Sequence, residues 1–477
     1  MKKQVNSGLA VSALIVLVVL IQLVVPVGCA NQVPPLGGPR DSISPTLIAV
    51  RPVDSATNFN GKKIIFEFNE YVQVDNAVEN LLISPTPKIS AQVTSKLRTV
   101  TVTIKDTLEP NTTYSYNFGN AIKDVNEGNV LKDFTYVFST GPTLDSFQLE
   151  GKVMLAETGK TYSTLIAALY KTGDDSAVVK QNARYIARLD KNGNYLFKNL
   201  PADKFYLYTF KAEGGQKRYA GKTTLFGFAD QPVDIGKTSV ADTLYAYAEK
   251  EEPKSSSTSN RVPGGRNAAN TNAEKRLRIE TSLQNGEQDL LSPFEVFFRS
   301  APIKSFDSSK IQFTDDKFAP LKNYQFIQDT SNKKITLQYN FTPGAAYAII
   351  VDKDFAEDTA GRKLSRKDTL RFRSKNESSY GSIRWRFPTL DLTKNPVLLL
   401  VQSEEIKFKY AFTGKEFVSK LFVPGDYELR ILYDTNKNGV WDPGQFFGTR
   451  KQPERVVQVP RKITVKANWD NESDFTL

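Results

Sequence analysis

The feature that most restricts how this chain can fold is a repeat. Tyr114, Gly128 and Leu131 lie at offsets of 0, 14 and 17, and Tyr347, Gly361 and Leu364 lie at the same offsets further along. A Pro-containing turn precedes each tyrosine, Asp124 and Asp358 occupy nearly matching places, and the two stretches close on YVFST and LRFRS. Self-similarity of this kind implies tandem modules, each with a core of its own. Around the repeated positions the apolar strings are short and alternating: Ile64 to Phe68 (IIFEF), Val100 to Ile104 (VTVTI), Tyr114 to Phe118 and Phe134 to Ser139. Period-two alternation between Asn, Gly and Pro turns marks half-buried strands. With 477 residues, 20 Tyr, 30 Phe, 28 Gly and 24 Pro, the chain is too long for one core and rich in strand and turn formers. That predicts an all-β protein of several domains.

In residues 45–143, Pro45, RPVDSATNFN, IIFEFNEYV, LEPNTTYSYNF, KDVNEGNVL and the closing FST resemble the bacterial Ig-like domain of Bacteroidetes envelope and surface-layer proteins. The resemblance implies a β-sandwich. Residues 147–250 open with LEGKVML and contain DKNGNYLFKNLPADKFYLYTF, which resembles the carboxypeptidase regulatory-like and Cna B-type domains. Those are small transthyretin-like sandwiches that serve as struts. Residues 251–274 are polar and turn-rich without apolar periodicity, as a disordered linker would be. The repeat makes 275–378 a second Ig-like copy. In 379–477, GSIRWRF parallels GKVML and VPGDYELRIL parallels LPADKFYLYTF, so the last segment is a second transthyretin-like copy.

At the N-terminus, Lys2 and Lys3 precede a stretch from Leu9 to Val25 that is apolar except for Ser12 and Gln22. This is signal-peptide anatomy. The stretch ends at Pro26-Val27-Gly28-Cys29-Ala30, which resembles the lipobox of bacterial lipoproteins, with Pro26 where Leu is usual. The resemblance implies that residues 1–28 are a signal peptide removed in maturation and that Cys29 is lipidated. Residues 29–44 then form a Pro/Gly-rich tether. A transmembrane anchor with an incidental cysteine is the alternative. No acidic cluster follows Cys29, which favours the periplasmic face of the outer membrane over the cell surface.

The chain has no histidine and one cysteine. Ser-His-Asp and Cys-His nucleophiles, His-rich zinc sites, disulfides and CxxC redox chemistry are thereby excluded. No phosphate loop, dinucleotide fingerprint or nucleophile elbow is present, so no catalytic residue is assigned and no enzyme is expected. The net charge of +11 is spread along the chain. It fits a solvated surface with a bulk attraction to anionic partners such as glycans; nucleic acid is not expected as a partner of an exported chain.

The most site-like string is DTNKNGVWDPGQ, from Asp434 to Gln445. Asp434, Asn436 and Asn438 supply oxygens at alternate positions before Gly439, and the Val440 carbonyl and Asp442 carboxylate can add to them around Ca²⁺. The string resembles the calcium loops of bacterial surface B-type repeats, with Gln445 where an EF-hand has a bidentate Glu. Its other reading is a hairpin whose Asx side chains bond their own backbone while Trp441 packs on the sandwich. Asp190, Asn192 and Asn194 form a weaker version. Asp174-Asp175, Asp315-Asp316 and Glu404-Glu405 read as solvated loop and edge charges, since neighbours on a strand face opposite ways. Asp followed by Ser or Thr and a small apolar residue occurs at Ser42, Ser55, Thr107, Ser176, Thr243, Thr359 and Thr369. It resembles the O-glycosylation acceptor of Bacteroidetes exported proteins.

Together these observations predict a membrane-anchored envelope lipoprotein that binds or scaffolds envelope proteins or glycans, as an accessory subunit of an outer-membrane assembly. A calcium-dependent adhesin or glycan-binding accessory protein is the alternative, and a carbohydrate-active enzyme stands behind both.

Overall fold

The computed structural model describes residues 14–17, 40–211, 217–249 and 276–477. Cys29, most of the tether and the 251–274 linker lie outside the described residues. The described residues are all-β, with 46% in strand and 5% in helix.

The first unit follows directly from its alternation. In Lys63–Phe68 every second side chain is buried, and Phe66 and Ile64 stand opposite Val100 and Val102 of Thr99–Thr103. One sheet runs in the order Leu47–Arg51, Lys63–Phe68, Thr99–Thr103, Gln92–Lys96; the facing sheet is Leu82–Ser84, Thr113–Gly119, Phe134–Ser139. Between them Phe66 takes Phe118, Phe134 and Tyr136 edge-on at centroid distances of 5.6, 5.4 and 5.3 Å, the arrangement aromatic quadrupoles favour. Each fully buried ring or Val stabilises the core by roughly 1.5–3 kcal/mol.

A third unit repeats this plan. Its first sheet is Ile279–Thr281, Phe294–Phe298, Lys334–Gln338, Gln325–Gln328, and its second is Glu287–Gln288, Asp368–Ser374, Ala346–Val351, Ile311–Asp315. Glu287–Gln288 lies parallel to its neighbour, and the first unit keeps that contact as a single parallel bridge, Ala56 to Phe138.

The repeated residues turn out to be the turn clamps. The Tyr114 hydroxyl accepts the Glu109 N–H at 2.8 Å, and the Tyr347 hydroxyl accepts that of Thr342 at 2.9 Å. Asp124 and Asp358 are buried. Asp124 takes the N–H groups of Glu127, Gly128 and Asn129 at 2.6, 3.0 and 2.6 Å. Asp358 takes those of Ala360 and Arg362, both at 2.9 Å, and the Arg362 guanidinium at 2.7 Å. Gly128 and Gly361 sit at φ of 79° and 73°, where a side chain is strained.

The second and fourth units share another plan. In the second, Phe147–Leu155 is flanked by antiparallel Asn194–Leu200 and parallel Leu244–Ala246, over a sheet of Tyr185–Arg188, Leu165–Tyr170, Lys204–Lys211 and Phe226–Phe228. In the fourth, Gly381–Arg386 is flanked by antiparallel Glu416–Phe422 and parallel Asp470–Asp474, over Glu405–Ala411, Pro396–Gln402, Gly425–Tyr433 and Arg455–Val465. The strands LIAALY and PVLLLVQ do not alternate, and they are buried on both faces. Leu165, Ala167 and Leu169 face their own core, whereas Ile166, Ala168 and Tyr170 face a second cluster that includes Phe446 of the fourth unit. A continuous apolar strand requires cover on each side. For LIAALY that cover is the second unit's own Val178 and Tyr219 together with Leu82 of the first unit and Phe446 of the fourth, and for PVLLLVQ it is Trp441 of its own unit.

Candidate functional site

The Asp434 loop leaves the strand Gly425–Tyr433 and closes on itself. Asp434 is buried and accepts the N–H groups of Asn438 and Gly439 at 3.2 and 2.6 Å. Asn436 and Asn438 direct their amide nitrogens to Asp442 Oδ2 at 2.5 and 2.9 Å. The Asn438 oxygen accepts the Val440 N–H at 2.7 Å, and the Gly439 carbonyl accepts Lys409 Nζ at 2.9 Å. Gln445 stands apart, bridged to Lys451 and bonded to the Phe447 carbonyl. Asp434, Asn436, Asn438 and Asp442 are thus brought together, and Val440 enters through its N–H. Among the described residues no three His, Cys, Asp or Glu side chains gather as a metal site. Ca²⁺ in this loop would depend on Asn436 and Asn438 turning their oxygens inward.

Glu454, which sequence reasoning missed, locks the base of the loop. It is 4% exposed, and its carboxylate accepts Thr435 N–H and O–H at 2.7 and 2.5 Å and Asp442 N–H at 3.1 Å. Its carbonyl takes Trp441 Nε1 at 2.8 Å. Trp441 does pack on the sandwich, beside Val397, Leu399, Leu432 and Val456.

Between Asp442 and Glu454 the chain reaches into the second unit. Phe446, 0% exposed, lies 4.7, 5.3 and 5.7 Å from the rings of Phe226, Phe228 and Tyr208. Its N–H donates to Glu249 at 3.1 Å, and Gln452 Nε2 donates to the Phe228 carbonyl and Asp230 at 3.0 and 2.8 Å. Arg450 pairs with Asp175 and lies over the Phe446 ring. Further along, Val456 N–H donates to the Ala156 carbonyl at 2.9 Å. The backbones come so close there that a Cβ on Gly159, at φ 66°, would stand 2.6 Å from the Val456 carbonyl. At the rim Lys160 bonds Glu404 at 2.5 Å, and Arg430 reaches both Glu404 and Glu428 at 3.1 Å. The Lys160 and Arg430 hydrogen bonds hold the Glu404 carboxyl below its ordinary range.

The paired carboxylates remain exposed or partly exposed loop and edge charges, and two of them have partners in another unit. Asp175 and Glu404 bond across the seam between units, while Asp174 takes the Ser176 N–H and hydroxyl and Asp315 takes the N–H groups of Lys317 and Ala319. The weaker Asp190 string is a hairpin: Asp190 accepts Asn192 and Asn194 N–H, both at 2.8 Å.

The first unit joins the second through Arg184, whose Nη1 donates to Glu109 at 2.6 Å and whose carbonyl accepts the Thr86 N–H at 2.8 Å. Arg188 adds bonds to Asn117 and to the Asn80 carbonyl. The third unit meets the fourth where the Tyr380 hydroxyl accepts the Leu290 N–H at 2.7 Å. Of the acceptor-like hydroxyl residues, Ser42, Ser55, Thr107, Thr359 and Thr369 are exposed and Ser176 and Thr243 are half-buried.

Residues 41–140 match the family model described as bacterial Ig-like domain. No curated protein matches. Among solved structures, the chain is similar to the Bacillus anthracis TIE protein (11% identity, covering 92% of this chain and 76% of that one, TM-score 0.16). It is also similar to BcpA, the major pilin subunit of Bacillus cereus (9% identity, 70% and 99% covered, TM-score 0.16). A third is the N-terminal part of the bacterial S-layer protein SbsC (18% identity, 43% and 44% covered, TM-score 0.16). TM-scores this low carry no weight for function.

Proposed function

We propose that this chain is a non-enzymatic envelope lipoprotein, held to the outer membrane through Cys29, whose linked sandwiches bind or scaffold envelope proteins or glycans as an accessory subunit of an outer-membrane assembly. The observation that carries this reading is the seam. The chain commits Phe446, Arg450, Asp175, Lys160 and Glu404 to fixing one sandwich on another, as a strut requires and a hydrolase does not. The absence of histidine from the sequence and the resemblance to Bacteroidetes envelope proteins support it. The lack of an acidic cluster after Cys29 supports the periplasmic face.

The test is purification of the native protein from its membrane in mild detergent, followed by identification of co-purifying chains. Stable partners are expected, together with release of Cys29→Ser from the membrane. Turnover of a glycan or peptide that disappears on changing one carboxylate would overturn the reading. Continued membrane retention of Cys29→Ser would replace the lipid by a transmembrane anchor.

A calcium-dependent mode rests on one observation, the convergence of Asp434, Asn436, Asn438 and Asp442. Calorimetry of the chain with Ca²⁺ gives a heat that Asp434→Ala abolishes if the mode operates. The absence of any heat leaves a hydrogen-bonded hairpin.

A further inference from the structure

The two-residue hairpin turn at the tip of the first unit, between Lys96 and Thr99, calls for a positive φ and is filled by an unusual residue. Leu97 sits at φ 54° and is 62% exposed, so an apolar residue stands in the left-handed region with its side chain in water. Bulky residues seldom adopt that conformation, and such outliers gather where a surface is used. The conformation is held from behind: the Leu97 carbonyl accepts the Val72 N–H at 2.9 Å, and the Arg98 carbonyl accepts that of Phe68 at 2.8 Å. The side chains of this turn are therefore presented on a fixed backbone.

Beside it lies an open groove of ≈ 550 Å³ lined by Tyr71, Thr94, Lys96, Leu97, Arg98, Thr99 and Thr101. Its floor follows from register. Thr94 faces Thr101 and Lys96 faces Thr99, in the phase opposite to the buried Val100 and Val102, so hydroxyls and one ammonium point outward together. Tyr71 is 49% exposed, with the Arg98 guanidinium 5.8 Å from its ring centre. The lining holds two cations and no carboxylate. By register the nearest outward acid is Glu67, across Thr99 and outside the lining.

We propose that this groove binds an anionic saccharide chain. The inference rests on the binding reading given above and names the partner class for it. Exposed hydroxyls exchange hydrogen bonds with sugar hydroxyls, Tyr71 and Leu97 offer apolar surface to sugar C–H faces, and Lys96 and Arg98 take carboxylate or sulfate groups by charge-assisted bonds. An acidic peptide would instead pair along the free edge of Gln92–Lys96 through its main chain. The charges here are on the sheet face and turn.

The test is titration of the full chain with a galacturonic-acid oligosaccharide at low salt, alongside a neutral glucan of equal length and a poly-glutamate peptide of equal charge. Uronate binding is expected to fall about tenfold or more in Lys96→Gln/Arg98→Gln and in Tyr71→Ala, and to rise in Glu67→Gln. Leu97→Gly, which suits the left-handed turn, controls for folding and weakens binding by loss of its side chain alone. Equal binding of the neutral glucan, equal competition by poly-glutamate, or a double variant that binds like the parent would each overturn the proposal. If the uronate does not bind while native protein still co-purifies with partner chains, this groove is excluded and the binding reading stands. If neither occurs, both fall.

Discussion

In the second unit, the strand Lys204–Lys211 is followed by Tyr219, Phe226 and Phe228, which line a socket. In the fourth, the equivalent strand Gly425–Tyr433 is followed by the arm whose Phe446 fills it. The strand orders match, apart from a fifth strand, Val233–Asp234, that pairs with Lys204–Lys211 in the second unit, and the segments that follow the two equivalent strands differ. Two identical copies could meet through matching patches about a twofold axis, whereas a plug in one and a socket in the other give a contact with a defined direction. One shared strand plan thus carries a socket in one unit and a plug in the other, and the segment after a single strand makes the pair a joint. The third unit lies between them in sequence, outside that joint.

The largest expected effect comes from removing the plug. Phe446→Ala leaves a void among Tyr208, Phe226 and Phe228, and a buried Phe-to-Ala change costs about 3–5 kcal/mol. Urea unfolding should then separate the fourth unit's transition from the second's, to lower denaturant. If the variant unfolds at the parent's midpoint, the plug does not hold the joint. Next in size is Glu454→Ala, which removes the acceptor from the partly buried N–H groups of Thr435 and Asp442, at about 1–3 kcal/mol for the pair because water can reach them. Limited proteolysis should then cut between residues 442 and 454 before anywhere else in the fourth unit. An unchanged digestion pattern would mean that Trp441 alone anchors the arm.

The duplicated first and third units allow a comparison by pH. Burial pushes the Asp124 carboxyl up, but the N–H groups of Glu127, Gly128 and Asn129 outweigh it and hold the group below its ordinary range. For Asp358 burial is likewise outweighed, by the Arg362 N–H and guanidinium and the Ala360 N–H. A depressed native pKa contributes stability that is complete above the unfolded value, about 3.9, and is lost as pH falls through the native value. Both units should lose stability on acidification below about pH 4. Asp124→Asn and Asp358→Asn should flatten that part of the pH profile in thermal melts. A profile unchanged in either variant would show that its clamp does not set acid stability.

How far the sequence foretold this architecture depends on the range of the interaction. IIFEF and VTVTI were legible because a strand's own period states which face is buried. The Tyr and Asp offsets were legible because each side chain bonds backbone within five residues of itself. Phe446 was not, because the Phe-Phe pair in a Gly-containing loop carries no period and its partners belong to another unit. LIAALY and PVLLLVQ were not singled out, and although their failure to alternate matches their burial on both faces, the strings do not say what covers the second side. Asp175 looked like an ordinary surface charge and Glu454 drew no reading at all, since the first finds its partner Arg450 in another unit and the second is buried only when the Asp434 loop folds over it. In the Asp434 string, residue types and spacing were clear, but the direction of each Asn amide is fixed by Asp442 and by the N–H groups of Asn438 and Val440, none of which spacing encodes.

The smallest effect lies at the rim of the same joint and separates plug from charge. Glu404 is 66% exposed, so its pairs with Lys160 and Arg430 are screened by salt and stabilise by less than about 1 kcal/mol. Arg430, 6% exposed, keeps Glu428 at 3.1 Å when Glu404 is neutralised, so no buried cation is stranded. Glu404→Gln should therefore lower the fourth unit's midpoint slightly at low ionic strength and not at high, whereas Phe446→Ala lowers it at both. If Glu404→Gln instead matches the loss from Phe446→Ala, the seam is held by its ions, and the socket's aromatic rings are only its lining.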